Sequence, residues 1–411
     1  MKKSGINLEN VKIRNKASIL KLLNQKGAMS RKDIAAEVGL TPAAVTLLTT
    51  EMIEAGYLRE EGALQEEKRA GRRKILVNIV YDWKCVLAVS IEVHKTTISL
   101  CTLDGTPLKH HEMRTDSAAK PEKFLKNVAK ECKALMYEAG KGPDTLLGAG
   151  VSIPGLVNRE TGVSKHAYGV WDVEVPVVQL LSADLNCPVV LENNIRAFGE
   201  GELLYGIGRA YRNMLFLRWG PGVGSAIVID DKIYDGYHHH AGEIGHYIIE
   251  PDGIQCRCGR RGCLETRVST QALTAQICQV YSAGMTPLLV SKTGDNKDMI
   301  TEDYLLSLLE DVQSISNEEL DPVIQKILSS AIDSFACTFV NTATILSPDH
   351  VAIFGSMFDN EAVRTAFLTA CQRYDPKYDN HFIHLADNRD KLAYIGPAAV
   401  AIRDMFLENP A

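Results

Sequence analysis

His246, Cys256, Cys258 and Cys263 fall within a span of eighteen residues. One imidazole and three thiolates make up the ligand set of a closed tetrahedral zinc site, which leaves no coordination position for a catalytic water. Free cysteines also serve as small buried hydrophobes. Gly245, Gly259 and Gly262 favour the metal reading, since a short metal loop needs their backbone freedom. A structural Zn2+ is therefore expected. Glu243 lies three residues before the first ligand and Glu265 two after the last, so a metal knot would hold both acids stiffly. Carboxylates held in this way accept hydrogen bonds from vicinal hydroxyls or support the metal ligands themselves.

A second chemistry is concentrated near the N-terminus. The chain of 411 residues carries a net charge of −6, yet up to residue 80 the basic residues outnumber the acids. A basic head on an acidic body suggests a nucleic-acid module joined to something else. Thr41-Pro42 reads as an N-cap followed by proline at the first helical position, opening a helix that runs through Glu54. From it Thr41, Ala43, Ala44, Thr46, Leu47 and Thr50 project outward, and their methyls and hydroxyls suit thymine methyls, base edges or phosphates. This helix has no Arg or Lys, so attraction to phosphate must come from its flanks, above all from Arg72 and Arg73 beside Gly71.

The elements that must position these groups follow from the pattern. Asn10 to Asn24 spaces Val11, Ile13, Ala17, Ile19, Leu20 and Leu23 as one face of a first helix. Ser30 and Asp33 open a second, with Ile34, Ala35 and Val38 buried, and Gly39 makes the turn into the third, whose Val45, Leu48, Met52 and Ile53 face inward. Leu76, Val77 and Ile79 return as a strand after the basic stretch, which completes a winged helix-turn-helix over residues 1–80 with a basic wing tip. Beyond Trp83, strands and helices alternate: a hairpin of Cys85 to Val93 with Thr96 to Leu103, a helix from Pro121 to Ala139, and strands at Leu147 to Ile153 and Pro188 to Leu191. A helix Ile195 to Tyr205, strands at Leu215 to Trp219 and Ser225 to Asp230, largely helical chain from Asp298 to Ser347 and a closing helix Ile395 to Phe406 follow. This is an α/β arrangement in two halves.

Composition is that of a globular protein, 45% hydrophobic and 23% charged. There is no N-terminal apolar leader and no run of about 18 apolar residues, so neither secretion nor a membrane span is expected. Ten cysteines, three of them in the metal cluster, fit a reducing cytoplasm.

The run from Gly220 to Gly236, then A-G-E-I-G-H (241–246) and C-R-C-G-R-R-G-C-L-E (256–265), resembles the ROK family of repressors, open reading frames and sugar kinases. With the N-terminal helix-turn-helix, the likeness is to its repressor branch, which includes xylose, glucose and N-acetylglucosamine regulators, and it covers essentially the whole chain. It implies a two-lobed actin-like, RNase H-like sugar-kinase fold over residues 81–411, one lobe spanning 81–198 with 395–408 and the other 199–394. It further implies a sugar in the interlobe cleft and a homodimer or tetramer. Asn193 and Asn194 match the family's Asn-Asp pair, and Glu243, His246 and Glu265 match its Glu, His and final acid. These five are the implied sugar contacts, with His246 serving metal and sugar through different ring nitrogens. Tyr168 stands where members often place an Asn, three residues before Trp171.

Three departures bear on catalysis. The family's catalytic Asp is Asn194 here, and an amide cannot take a hydroxyl proton. The run Ser90 to Thr96 has no glycine where kinases carry a phosphate turn. Gly220-Pro221-Gly222 replaces Gly-Thr-Gly, which removes an N–H donor and a hydroxyl. No ATP use is expected. The implied function is a sugar-responsive repressor of carbohydrate genes that binds double-stranded operator DNA. An active sugar kinase and a regulator controlled by a protein partner are the alternatives.

Overall fold

The computed structural model describes residues 8–63, 75–316 and 318–410. The expected wing tip, with Arg72 and Arg73, lies outside the described residues. The chain divides into two compact units, Met1–Tyr205 with Asp390–Ala411, and Gly206–Arg389.

In the first unit, α1 (Leu8–Lys26), β1 (Met29–Ser30), α2 (Arg31–Val38), α3 (Pro42–Glu54), β2 (Leu58–Ala63) and β3 (Ile75–Ile79) form the winged helix, its strands ordered β1-β3-β2. Both helix starts follow from their caps. Ser30 Oγ accepts the Asp33 N–H at 3.2 Å, and Thr41 Oγ1 accepts the Ala44 N–H at 3.2 Å. Gly39 closes α2 in the left-handed region at φ 68°. One expectation needs correction and two are met in part. Val11 is exposed, because the buried face of α1 begins only at Ala17, while Val38 and Ile53 are half-buried against the same core.

The sheet that follows contains β4 (Cys85–Ile91), β5 (Lys95–Thr102), β6 (Pro107–Arg114), β7 (Leu146–Ile153) and β10 (Val189–Asn193), in the order β10-β7-β4-β5-β6. Between these strands the chain adds α4 (Pro121–Glu138), the short pair β8 (Leu156–Asn158) and β9 (Val163–His166), and α5 (Val177–Leu185); α6 (Asn194–Tyr205) follows β10. Alternation along β4 splits the core in two. Leu87, Val89 and Ile91 join α4 and α5 on one face. Val86 and Ala88 join the opposite cluster, which contains Ala398, Ala401 and Ile402 of the closing helix Ile395–Ile402 together with Ile19, Leu23, Met52 and Tyr57 of the winged helix. The winged helix thus shares a hydrophobic core with the sheet behind it.

The boundary expected at residue 198 falls inside α6, which stays whole within the first unit. The closing helix is α-helical only to Ile402; Arg403–Leu407 is a π-turn.

The second unit repeats the strand order. Here β11 (Met214–Trp219), β12 (Val223–Ile229), β13 (Lys232–Ile233), β14 (His350–Phe354) and β15 (Ile383–Leu385) run β13-β12-β11-β14-β15. In each sheet the first two strands are antiparallel and the last two run parallel to the first. The largely helical stretch expected from Asp298 to Ser347 consists of two helices, Glu302–Glu310 and Pro322–Leu346. The latter is long and apolar enough to cross a membrane by length and composition alone. Its Phe335 and Phe339 instead pack in the core of this unit, where Phe335 meets Trp219 edge-on at 5.0 Å.

Candidate metal centre, polar sites and DNA-reading helix

The four expected metal ligands converge. The ligand atoms of His246, Cys256, Cys258 and Cys263 lie within 4.8 Å of one another. His246 Nδ1 is 3.6 Å from Cys256 Sγ, and Cys258 Sγ is 3.6 Å from Cys263 Sγ. A tetrahedron with metal–sulfur bonds of about 2.3 Å has edges of about 3.8 Å, so the donor set fits a metal ion of that size. Burial lowers the proton affinity of His246, with Glu265 opposing and Arg260 adding to the effect, so the imidazole is held in the neutral form a metal requires. Burial also raises the Cys256 thiol and pushes Cys263 up to about 12.

Backbone crowding explains two glycines of this segment, and a left-handed φ of 88° explains Gly259. A Cβ on Gly245 would sit 2.1 Å from the Val223 carbonyl oxygen, so close approach to β12 is its role there. At Gly262, φ is 68° and a Cβ would fall 1.5 Å from the Glu250 carbonyl oxygen.

Both interleaved acids lie beside this cluster. Glu243 Oε2 is 3.8 Å from His246 Nε2, so one ring nitrogen faces the sulfurs and the other a half-buried carboxylate. Glu265 is buried; its Oε2 accepts the Val223 N–H at 3.1 Å and its Oε1 lies 3.4 Å from Arg257 Nε. It therefore ties the cysteine loop to the turn Gly220-Pro221-Gly222.

In the first unit, Asn193 and Asn194 stand where β10 enters α6. Asn193 Nδ2 donates to the Gly155 carbonyl at 2.8 Å, and its Oδ1 accepts from the N–H groups of Ile195 and Arg196 at 2.9 and 3.2 Å. Its amide is committed to capping α6 and fixing the loop after β7. Asn194 Nδ2 donates to Glu92 Oε1 at 2.8 Å, leaving its carbonyl oxygen for other donors. Glu92 escapes a sequence reading because only the sheet brings the end of β4 to the end of β10. Below Asn193, the buried Glu192 pairs with Arg196 at 2.8 Å and Arg159 at 3.0 Å. Arg159 reaches on to Asp404 at 2.5 Å in the π-turn, where Arg403 pairs with Glu200.

Trp171 is a core residue, its Nε1 donating to Ser164 Oγ at 3.1 Å, and the half-buried Tyr168 lies 4.7 Å from the ring of His166. On α3, Thr41, Ala43, Thr46, Leu47 and Thr50 are exposed and Ala44 is half-buried. Leu47 is 62% exposed, which no packing role within the chain explains. The Thr46 hydroxyl donates to the Pro42 carbonyl, so its methyl is the free group. Thr49, not singled out by the sequence, is buried and accepts from Arg31 Nε at 2.9 Å, pinning α2 to α3.

Residues 86–404 match the ROK family, and residues 14–59 match a winged helix-turn-helix DNA-binding family. The chain is 25% identical to the xylose repressor of Caldicellulosiruptor bescii over 395 residues, covering 95% of this chain and 96% of that protein. Among solved structures, it is similar to a ROK family transcriptional regulator described as a homologue of the Escherichia coli Mlc protein, with a TM-score of 0.79, 22% identity and 98% of each chain covered. It is also similar to a ROK family glucokinase from Streptomyces griseus, with a TM-score of 0.64, 22% identity, and 77% of this chain and 98% of that one covered. The duplicated strand order seen here is thus part of the fold shared with ROK sugar kinases, and a winged helix precedes it: this chain belongs to the ROK family.

Proposed function

We propose that this protein is a sugar-responsive transcriptional repressor of carbohydrate genes that has lost kinase activity. The observation that carries the reading is the single core shared by the winged helix, β4 and the closing helix, which makes the DNA-binding head continuous with a sugar-kinase fold. Its full-length likeness to a xylose repressor makes pentoses and hexoses the effectors to try first.

The cluster of His246, Cys256, Cys258 and Cys263 holds one Zn2+, a closed ligand set whose part is to fix the loop. In the second unit, Glu243 and the outer nitrogen of His246 meet sugar hydroxyls, since hydroxyl donors favour charged acceptors. In the first unit, the Asn194 carbonyl and Glu92 offer acceptors of the same kind. Asn193 and Glu265 act as positioning groups, given the backbone bonds they already make. Loss of kinase activity follows from Asn194, which cannot serve as general base, and from Pro221, which lacks an N–H to offer a phosphate.

Sugar occupancy at Asn194 is relayed through the adjoining Asn193, whose N–H donates to Glu192, then through Arg159 and Asp404 to the π-turn that packs against α1 and Tyr57. An effector shifts operator binding only by its differential affinity for two such states. Operator DNA with two half-sites about one helical turn apart is read by a homodimer through Thr41, Ala43, Ala44, Thr46, Leu47 and Thr50 of paired α3 helices, in the cytoplasm.

The test selects bound duplexes from a random pool, then follows their affinity by anisotropy with xylose, glucose and N-acetylglucosamine added singly. One sugar should change the affinity about 5- to 150-fold. No change with any sugar would transfer control to a protein partner.

A further inference from the structure

A groove of about 530 Å³ opens in the first unit, and none of the residues lining it belongs to the polar sites described above. Its rim carries Arg114 at the end of β6 and Lys123, Lys126, Lys130 and Lys133 of α4. Successive spacings of three, four and three residues put the four lysines on one helix face, and all are exposed. Asp116 and Asp184 are the only acids lining it, and Asp116 Oδ1 is already taken by the N–H groups of Ala118 and Ala119.

Neighbouring charges are treated differently. On the same two elements Lys109 pairs with Glu138 at 2.6 Å, His111 with Glu131 at 3.7 Å, and Lys95 of β5 with Glu112 at 2.8 Å. Three of the four acids of β6 and α4, Glu112, Glu131 and Glu138, are thereby drawn to partners outside the groove, and the fourth, Glu122, does not line it. Its five cations have no ion-pair partner among the described residues. In a chain of net charge −6, this is a concentrated positive field over a concave surface. The groove is not polar throughout, because Met113, Ala119, Phe124 and Ala129 contribute to its lining.

We propose that this groove binds a small phosphorylated metabolite, with the phosphate among the lysines and Arg114 and the organic body against Met113 and Phe124. Its volume lies within the ~300–1,000 Å³ range of small-molecule sites. A phosphomonoester brings about two negative charges at neutral pH and accepts several charge-assisted hydrogen bonds. Operator DNA is disfavoured as the occupant because α4 covers the sheet face opposite the one that packs against the winged helix. The site is separate from the acceptors proposed above for sugar hydroxyls.

Calorimetry on the full chain tests it, with inorganic phosphate, glucose 6-phosphate, AMP and unphosphorylated glucose as probes. Glucose 6-phosphate or AMP should bind at least fivefold more tightly than inorganic phosphate, because of the apolar lining. The K123Q/K126Q/K130Q/K133Q variant, which changes only exposed positions, should weaken that binding at least tenfold, whereas Asn194→Ala should leave it intact. Phosphorylated probes that bind the quadruple variant as tightly as the parent, or that fail to bind the parent, overturn the proposal. So does a quadruple variant whose only loss is affinity for random-sequence duplex DNA or polyglutamate, for then the lysines form a polyanion track or an acidic-protein surface.

Discussion

The Tyr57 ring, at the turn out of α3, meets the Phe406 ring of the π-turn edge-on, with centroids 5.9 Å apart and planes at 82°. Trp83 completes the cluster at 5.1 Å from Tyr57 and 6.1 Å from Phe406. Burial raises the Tyr57 hydroxyl to about 12, so the ring stays neutral at all working pH. Head and sheet are therefore joined by aromatic packing, and one ring of that packing belongs to the C-terminal segment.

Phe406→Ala removes a fully buried ring and should destabilise the first unit by about 3–5 kcal/mol. Thermal unfolding measures the loss. Phe406→Leu keeps most of the volume, so it should fold while reducing the effect of sugar on operator affinity. Equal sugar responses in Phe406→Leu and the parent would remove the π-turn from the relay.

Glu192 is buried, which by itself raises its carboxyl. Arg196 and Arg159 outweigh that, with the Asn193 N–H assisting, and hold it below the ordinary value. A group depressed in the folded state contributes stability that is complete above its unfolded value of about 4.3 and lost as pH falls through the lower folded value. Stability should therefore drop on the acid limb below about pH 4, and Glu192→Gln should flatten that limb. Arg196→Ala leaves the carboxylate poorly compensated and should cost about 3–5 kcal/mol at neutral pH. Denaturant titrations at a series of pH values read both effects.

Purified protein should contain one equivalent of zinc by elemental analysis, and chelation should lower its melting temperature, since metal binding to such a loop is folding free energy. Cys263→Ser should abolish stoichiometric zinc and reproduce the chelated melting curve. A protein free of metal at full stability would remove the structural zinc.

Asn194→Asp restores the carboxylate that a kinase would use as base. A coupled ADP-release assay should still show no sugar-dependent turnover, because Pro221 and the glycine-free run after β4 remain. Turnover at ordinary kinase rates in the parent protein would instead establish an enzyme.

Arg72→Ala with Arg73→Ala should weaken DNA binding across all sequences and lower the slope of log affinity against log salt by about two. An unchanged slope, measured by anisotropy between low and physiological salt, would take the wing out of phosphate contact.

The helix-turn-helix was readable because its signals are local: a Ser30 cap, a left-handed Gly39, a Thr41-Pro42 start and heptad-scale apolar spacing. The cluster that could hold a metal was readable for the same reason, four donors in one short segment whose side chains the fold brings within 4.8 Å of one another. The expectation of an amide at Asn194 where the family's kinases carry an Asp came from the resemblance, and an amide cannot take a hydroxyl proton. Other features rest on groups far apart in the chain. Asn193 caps α6 through local bonds, but its tie to the Gly155 carbonyl exists only in the fold, and Glu92 became the partner of Asn194 only through the register of β4, β7 and β10. The π-turn's ion pairs to Arg159 and Glu200 span more than two hundred residues. Sequence periodicity describes one face of one element, whereas these contacts depend on which faces meet. That is why the amino-acid order determined the modules and their chemistry, and only the tertiary structure decided that the DNA-reading head and the sugar-kinase sheet have one core between them.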